Sequence, residues 1–83
     1  MEEMVLEKLE GMCNVVLKQE SQGVTAMIKD GIKFGIIKGD TVFLHDQSGE
    51  YQELDASVIS NADKFLTYAT KAFWAASSVE VTG

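Results

Sequence analysis

The chain has 83 residues, 46% of them hydrophobic, and a net charge of −6 that results from 13 acidic residues and 7 lysines, with no arginine. This length is that of one globular domain, residues 1–83, and the apolar content excludes a disordered chain. No apolar run approaches the ~18–20 residues of a membrane span. Nucleic-acid binding depends on cationic side chains, and base recognition relies on arginine, so the composition argues against direct binding to DNA or RNA.

Two features near the N-terminus bear on the compartment. The first four residues, Met-Glu-Glu-Met, are acidic, whereas secretory and transit peptides begin with basic residues. Cys13 is the single cysteine, so the chain cannot form an internal disulfide, which is typical of proteins in a reducing compartment. We therefore expect a cytoplasmic protein that does not associate with a membrane.

The first predicted element is a short helix over residues 1–12. Met1, Val5, Leu9 and Met12 recur at spacings of four and three residues, which places them on one side of a helix. This apolar stripe predicts that the helix packs against the rest of the domain.

The middle of the chain predicts a β-meander. Apolar and β-branched runs of strand length are separated by turn residues, and Asp30-Gly31 is typical of a tight hairpin turn with positive φ at both positions. Gly39-Asp40 has the same role in the next turn. Gly35 lies inside a strand and indicates a bulge or a close contact. The predicted strands are residues 15–17, 24–29, 33–38, 41–46 and, as a short last strand, 51–54.

The C-terminal part predicts the main helix over residues 61–77, with Ser60 as its N-cap and residues 78–83 as a frayed tail. Its apolar positions follow helical spacing and form one wide face: Ala62, Phe65, Leu66, Ala69, Ala72, Phe73 and Ala76. The fold class is therefore α+β. We expect a two-layer domain, with an antiparallel β-meander of four to five strands flanked by an N-terminal helix and a longer C-terminal helix.

A known family shows the same order of motifs. An apolar strand runs into Asp30-Gly31, a Phe-containing strand follows at 33–37, and a turn and strand occupy 39–45; residues 51–54 and the helix at 61–73 complete the series. This arrangement resembles the TfoX amino-terminal domain family, small domains related to bacterial regulators of competence genes. In that family Met-Phe-Gly-Gly commonly precedes the second strand, and here the segment is Ser-Gln-Gly-Val, with Gly23 alone retained. The resemblance implies a regulatory domain of a bacterial cytoplasm that has no catalytic residues.

The residues themselves predict no enzyme and no cofactor. His45 is the single histidine and has no base or nucleophile nearby in the sequence, so we expect a structural histidine that is either hydrogen-bonded or exposed. Cys13 lacks a cationic neighbour that would activate it, so we expect a small buried core residue. One Cys and one His do not provide the ligand spacing of a metal site, and the glycines are too scattered for a phosphate-binding loop.

The most informative feature is that both faces of the predicted sheet are apolar. Alternation places Val24, Ala26 and Ile28 on the core face, with Phe34, Ile36, Val42 and Leu44 alongside. The opposite face then carries Val16, Met27, Ile37 and Phe43, and Trp74 projects away from the core stripe of the main helix. These five residues are the candidate contacts of a homodimer or of a protein partner. The alternative is that packing within the chain covers them all.

These observations lead to one predicted function and one alternative. The first is a non-enzymatic regulatory or protein-interaction domain resembling the TfoX amino-terminal domain. The alternative is a small acidic chaperone or adaptor that holds a segment of its partner on the sheet or on the apolar face.

Overall fold

The computed structural model describes residues 2–82, with side chains from residue 3 to residue 79. Three helices and five strands follow one another in the order α1 (Glu2–Lys8), β1 (Val15–Ser21), β2 (Val24–Lys29), β3 (Ile32–Lys38), β4 (Thr41–His45), β5 (Tyr51–Glu53), α2 (Ala56–Ile59) and α3 (Ala62–Thr82). No helix in this part of the chain is both long and apolar enough to cross a membrane.

The five strands form one antiparallel sheet in which every strand pairs with its neighbour in sequence, in the order β1-β2-β3-β4-β5. The turn between β2 and β3 has positive φ at Asp30 (51°) and Gly31 (81°), as the sequence predicts. The predicted fold class is confirmed: the domain is α+β, with a β-meander, an N-terminal helix and a longer C-terminal helix.

All three helices pack on the same face of the sheet. Val5 and Leu9 of α1, Ile59 of α2 and the small residues of α3 belong to one core cluster with the side chains of β2, β3 and β4. The alanines on α3 let its backbone approach the sheet closely, and the larger side chains fill the space from the strand side. The fully buried large residues of this cluster are Phe34, Phe65, Leu9, Met27, Val5 and Val42.

An irregularity in the pairing of β2 with β3 decides where Phe34 lies. Met27 pairs with Gly35, but the next residue, Ile28, pairs with Lys33, so Phe34 is left without a partner. Such a bulge lets two successive residues turn toward one face, and Phe34 is fully buried against the Phe73 ring at 6.3 Å. Gly35 is needed beside it, since a Cβ there would lie 2.8 Å from the Met27 Sδ atom and 3.1 Å from the Phe43 carbonyl oxygen. Of the two alternatives predicted for Gly35, the close contact is confirmed, whereas the bulge falls on the neighbouring Phe34.

The predicted face of β2 is wrong. The sequence places Val24, Ala26 and Ile28 toward the core, whereas the register pairs Met27 with Gly35 and Ile37 with Val42 on the face that the helices cover. Met27 is 0% and Ile37 is 3% exposed. The covered face of β2 carries Thr25, Met27 and Lys29, and the opposite face carries the wholly apolar set Val24, Ala26 and Ile28. Alternation within this strand therefore points away from the face that the helices cover.

The predicted helix boundaries also need correction. Residues 9–12 form turns after α1, and an unpredicted short helix, α2, begins after Asp55, whose side chain accepts a hydrogen bond from the Ser57 N–H. Ser60 ends α2 and does not cap α3; the Asn61 side chain accepts from the Lys64 N–H at 3.1 Å instead. Helix α3 continues through Thr82, so the tail predicted at residues 78–83 is helical over 78–82, and Gly83 lies outside the described residues.

Cys13 is exposed, which corrects its expected place in the core. It lies in the turn between α1 and β1, next to Asn14, whose φ is 59°. Its carbonyl oxygen accepts a hydrogen bond of 2.7 Å from the Lys29 Nζ atom, which also lies 5.1 Å from the centre of the Phe73 ring. The Cys13 backbone thus connects the α1–β1 turn to Lys29 at the end of the sheet. The residue itself is exposed, so its thiol is not part of the core.

Candidate functional site: an open sheet face and a tryptophan groove

The face of the sheet opposite the helices is not covered by α1, α2 or α3, since all three contribute to the core on the other side. Its centre consists of Ala26, Ile36 and Phe43, which are in register across β2, β3 and β4. We call this surface the open face; its side chains are Val16, Lys18, Glu20, Val24, Ala26, Ile28, Lys33, Ile36, Lys38, Thr41, Phe43, His45, Tyr51 and Glu53. Ile36 and Phe43 are half-buried and Val16 is 56% exposed.

A line of polar and aromatic contacts crosses the open face. The Lys33 Nζ atom lies 2.7 Å from the Glu20 Oε1 atom and 5.7 Å from the centre of the Tyr51 ring. Tyr51 in turn meets the His45 ring edge to face at 5.4 Å. Within the described part of the chain, the buried His45 Nδ1 atom has no hydrogen-bond partner. His45 therefore packs edge to face against Tyr51, with its Nδ1 side buried.

A second surface lies between α3 and the edge of the sheet at β4 and β5. Trp74 is 67% and Tyr68 is 45% exposed, and both line an open groove of about 980 Å³. We call it the Trp74 groove; other residues that line it are Leu44, Gln52, Leu54, Lys71, Ala75 and Val79. The groove follows α3 for about three turns, because Tyr68, Ala75 and Val79 recur at helical spacing.

The loop at the end of the Trp74 groove is organised by Asp46. Its Oδ1 atom accepts hydrogen bonds from the Ser48 Oγ atom at 2.6 Å, the Ser48 N–H at 2.9 Å and the Glu50 N–H at 3.0 Å, and its Oδ2 atom accepts one from Gln52 at 2.8 Å. The Ser48 hydroxyl, followed by Gln52, lowers the pKa of Asp46 from 3.8 to about 2, because these donors favour the carboxylate. The loop between β4 and β5 is thus a closed hydrogen-bonded turn.

The structure separates the five predicted contact residues into three places. Val16 and Phe43 lie on the open face, and Trp74 lies in its own groove beyond the edge of the sheet. Met27 and Ile37 are core residues, so neither presents a side chain to a partner in this fold. The predicted single surface is therefore two surfaces.

Sequence reasoning missed Tyr68 as a surface aromatic. The sequence does contain a signal for this residue, since Tyr68, Ala75 and Val79 form a second apolar stripe beside the core stripe of α3. It also missed that His45 and Tyr51 are neighbours, because their pairing depends on the register of β4 with β5.

Among the described residues, no group of three or more His, Cys, Asp or Glu side chains is arranged to hold a metal ion. His45 meets an aromatic ring rather than a nucleophile, and the Asp46 carboxylate is fully engaged within its own loop. What the two surfaces offer chemically is apolar and aromatic contact area.

Comparison with known proteins adds no relative, since no protein-family model, curated protein or solved structure matches this chain. The resemblance to the TfoX amino-terminal domain family therefore stays a prediction from the sequence motifs.

Proposed function

We propose that this protein is a non-enzymatic regulatory domain that acts by binding another protein through the Trp74 groove. The observation that carries the proposal is the exposure of Trp74, whose side chain is 67% accessible on an ordered helix. Tryptophan and tyrosine are enriched at the centres of protein interfaces, where they fill pockets and supply most of the binding energy. A regulatory role in bacteria is what the resemblance to the TfoX amino-terminal domain implies.

The composition of the groove indicates what kind of surface it binds. Leu54, Ala75 and Val79 provide apolar walls, and Tyr68 and Trp74 provide large, rigid contact area. Asp46 and Lys71 border the groove with opposite charges. A complementary partner presents an apolar side chain as its anchor and polar groups around it.

The shape of the groove supports a second candidate, an adaptor that holds an extended segment of its partner. Residues 68–79 span about 16 Å of helix at 1.5 Å per residue. An extended chain of about five residues covers the same length. A segment with alternating apolar side chains would fit along α3 without the partner having to be folded.

The first experiment replaces Trp74 with the photo-reactive residue p-benzoylphenylalanine and irradiates bacterial cells that express the protein. We expect adducts with one folded protein, and a loss of about tenfold in adduct yield when Tyr68→Ala is added, since central interface aromatics contribute more than about 1 kcal/mol. The matched control places the same residue at Lys64, which is exposed on α3 and does not line the groove. Identical adducts from both positions would contradict binding at the groove.

A second experiment uses the fact that Trp74 is the single tryptophan. Titration with an unfolded polypeptide that contains no tryptophan reports occupancy of the groove through the emission of Trp74. A blue shift that is lost in Tyr68→Ala would favour the adaptor. An unchanged spectrum, together with adducts to a folded protein in the first experiment, would exclude the adaptor and keep the regulatory domain.

A further inference from the structure

The function proposed above uses the Trp74 groove and assigns no role to the open face. We propose that two copies of this chain associate through their open faces and form a dimer in which one sheet packs on the other. The open face and the Trp74 groove share His45 and Glu53 at the edge of the sheet, but Ile36 and Phe43 at the centre of the open face do not line the groove, so the two surfaces can be tested separately.

The apolar content of the open face is the first argument. An antiparallel sheet with one face in water normally alternates between apolar residues inside and polar residues outside. Here Ala26, Ile36 and Phe43 form an apolar row across the three central strands. Ala26 itself is fully buried, Ile36 and Phe43 are half-buried, and Val16 adds an aliphatic side chain that is 56% exposed. Two such faces pack about 10 Å apart with interdigitating side chains, as in a β-sandwich.

The distribution of charge favours a second copy of this chain as the molecule that covers the open face. The chain as a whole carries a net charge of −6, but the open face holds three lysines and two glutamates: Lys18, Lys33, Lys38, Glu20 and Glu53. The acidic excess therefore lies on the rest of the surface, and two copies repel each other least when their open faces meet. A nearly neutral face with both signs complements itself, whereas a strongly basic or acidic partner would leave like charges opposed.

The size of the open face sets the expected strength of association. Five strands about 4.8 Å apart, each contributing about five residues at ~3.3 Å, give a projected area on the order of 400 Å² per copy. Stable interfaces bury about 800 Å² per partner, and transient ones bury less. The dimer is therefore dissociable, and we expect a weak Kd of about 10–500 µM.

The test is the mass in solution, measured by sedimentation equilibrium from about 1 µM to about 1 mM, a range that brackets a micromolar Kd. We expect the mass to rise from 9.1 kDa toward twice that value as concentration increases. A mass of 9.1 kDa at every concentration would overturn the proposal.

Two variants locate the contact. Ile36→Lys introduces a charge at the centre of the open face, so we expect the Kd to rise by at least about 100-fold, because two like charges would be buried against each other. The matched control, Tyr68→Lys, makes the same charge change on α3 and should leave the Kd within about twofold, since surface changes away from a contact have small effects. Dimerisation that is lost in Tyr68→Lys, or retained in Ile36→Lys, would place the contact elsewhere and overturn the proposal.

Val16→Lys is a second variant, which tests the proposal even if Ile36→Lys fails to fold. Val16 is more than half exposed, so its replacement leaves the fold intact, as circular dichroism can verify. We expect its Kd to rise by about tenfold, which corresponds to about 1.4 kcal/mol, and an unchanged Kd would again overturn the proposal. The emission of Trp74 should not change on dimerisation, so failure of the dimer and failure of the groove function give different signals.

Discussion

Phe34 and Phe43 lie on neighbouring strands of one sheet and point to opposite sides of it. Phe34 is fully buried and meets the Phe73 ring of α3, whereas Phe43 is half-buried on the open face beside Ile36. The two faces of the sheet thus carry similar kinds of side chain in very different surroundings. The difference comes from the helices, which cover the centre of one face and leave the other to solvent or to another chain.

The complementary shapes of α3 and the sheet explain which face of the sheet the helices cover. Helix α3 presents Ala69, Ala72 and Ala76 to the sheet, and these small residues leave room for the large side chains of Met27 and Phe34. On the open face no such counterpart exists within the described residues, and Lys33 lies over the Tyr51 ring there instead. An apolar face is therefore covered when a partner of complementary shape is present, not simply because it is apolar.

The largest expected effect tests this contrast directly. Phe34→Ala should lower the free energy of unfolding by about 3–5 kcal/mol, because it removes a fully buried ring and leaves a cavity. Phe43→Ala should cost about 1 kcal/mol in the monomer, since the Phe43 ring remains partly in water. Urea unfolding at about 1 µM protein, below the expected dimer Kd, measures both values without a contribution from association.

The stability of such a small domain makes the contrast easy to see. For a chain of this length the total free energy of unfolding is about 4–12 kcal/mol, at about 0.05–0.15 kcal/mol per residue. Phe34→Ala therefore removes a large part of it, and the variant should unfold at much lower urea. Equal losses in Phe34→Ala and Phe43→Ala would mean that the open face is as well packed as the core, and the distinction between the two faces would be wrong.

Gly35→Ala probes the covered face from the sheet side. The new Cβ would lie 2.8 Å from the Met27 Sδ atom and 3.1 Å from the Phe43 carbonyl oxygen, and the backbone atom cannot move aside easily. We expect a loss of about 1–3 kcal/mol in urea unfolding from this overpacking.

The matched comparison for Gly35→Ala is Gly23→Ala in the β1–β2 turn. A Cβ at Gly23 meets no atom within 4 Å, but its φ of 78° is unfavourable for alanine, so its cost of about 1 kcal/mol is conformational alone. Combining Met27→Ala with Gly35→Ala should cost less than the sum of the two single losses, because the smaller side chain makes room, whereas the losses of Met27→Ala and Gly23→Ala should add. Strict additivity in both pairs would contradict a steric origin.

Much of the fold could be predicted from the sequence because local signals determine it. Asp30-Gly31 specifies its hairpin turn through positive φ, and the apolar stripe at Phe65, Ala69 and Ala72 specifies the buried side of α3. The order of strands follows from consecutive hairpins. These features depend on residues close in sequence, so the pattern alone was sufficient.

What could not be predicted depends on contacts between distant residues. The bulge at Phe34 turns this residue to the face of Met27, and alternation without a register cannot reveal that. The same lack of register placed Met27 and Ile37 among the surface candidates and left Tyr51 unrelated to His45. Short helix α2 has only four residues and no apolar repeat of its own.

The smallest expected effect concerns the Asp46 loop, which belongs to neither face and is open to solvent. Its pKa is lowered from 3.8 to about 2, chiefly by the Ser48 hydroxyl, so the native state favours the carboxylate. A lowered pKa in the folded protein contributes stability that is present above about pH 4 and is lost as the pH falls toward 2. Asp46→Asn keeps an acceptor for the Ser48 and Glu50 N–H groups but removes the charge. Its melting temperature should therefore lie slightly below that of the parent at pH 7, and the gap should close between pH 4 and pH 2.

Asp40→Asn is the control for this experiment, because it removes the same charge from the turn between β3 and β4. If the pH-dependent gap appears equally in both variants, it reflects the net charge of the chain and not the hydrogen bonds around Asp46. A gap confined to Asp46→Asn, and smaller than the losses at Phe34 and Gly35, would show that this domain is held mainly by its covered face. The polar loops would then contribute only locally at the ends of the sheet. The open face would be available to the second copy that we propose.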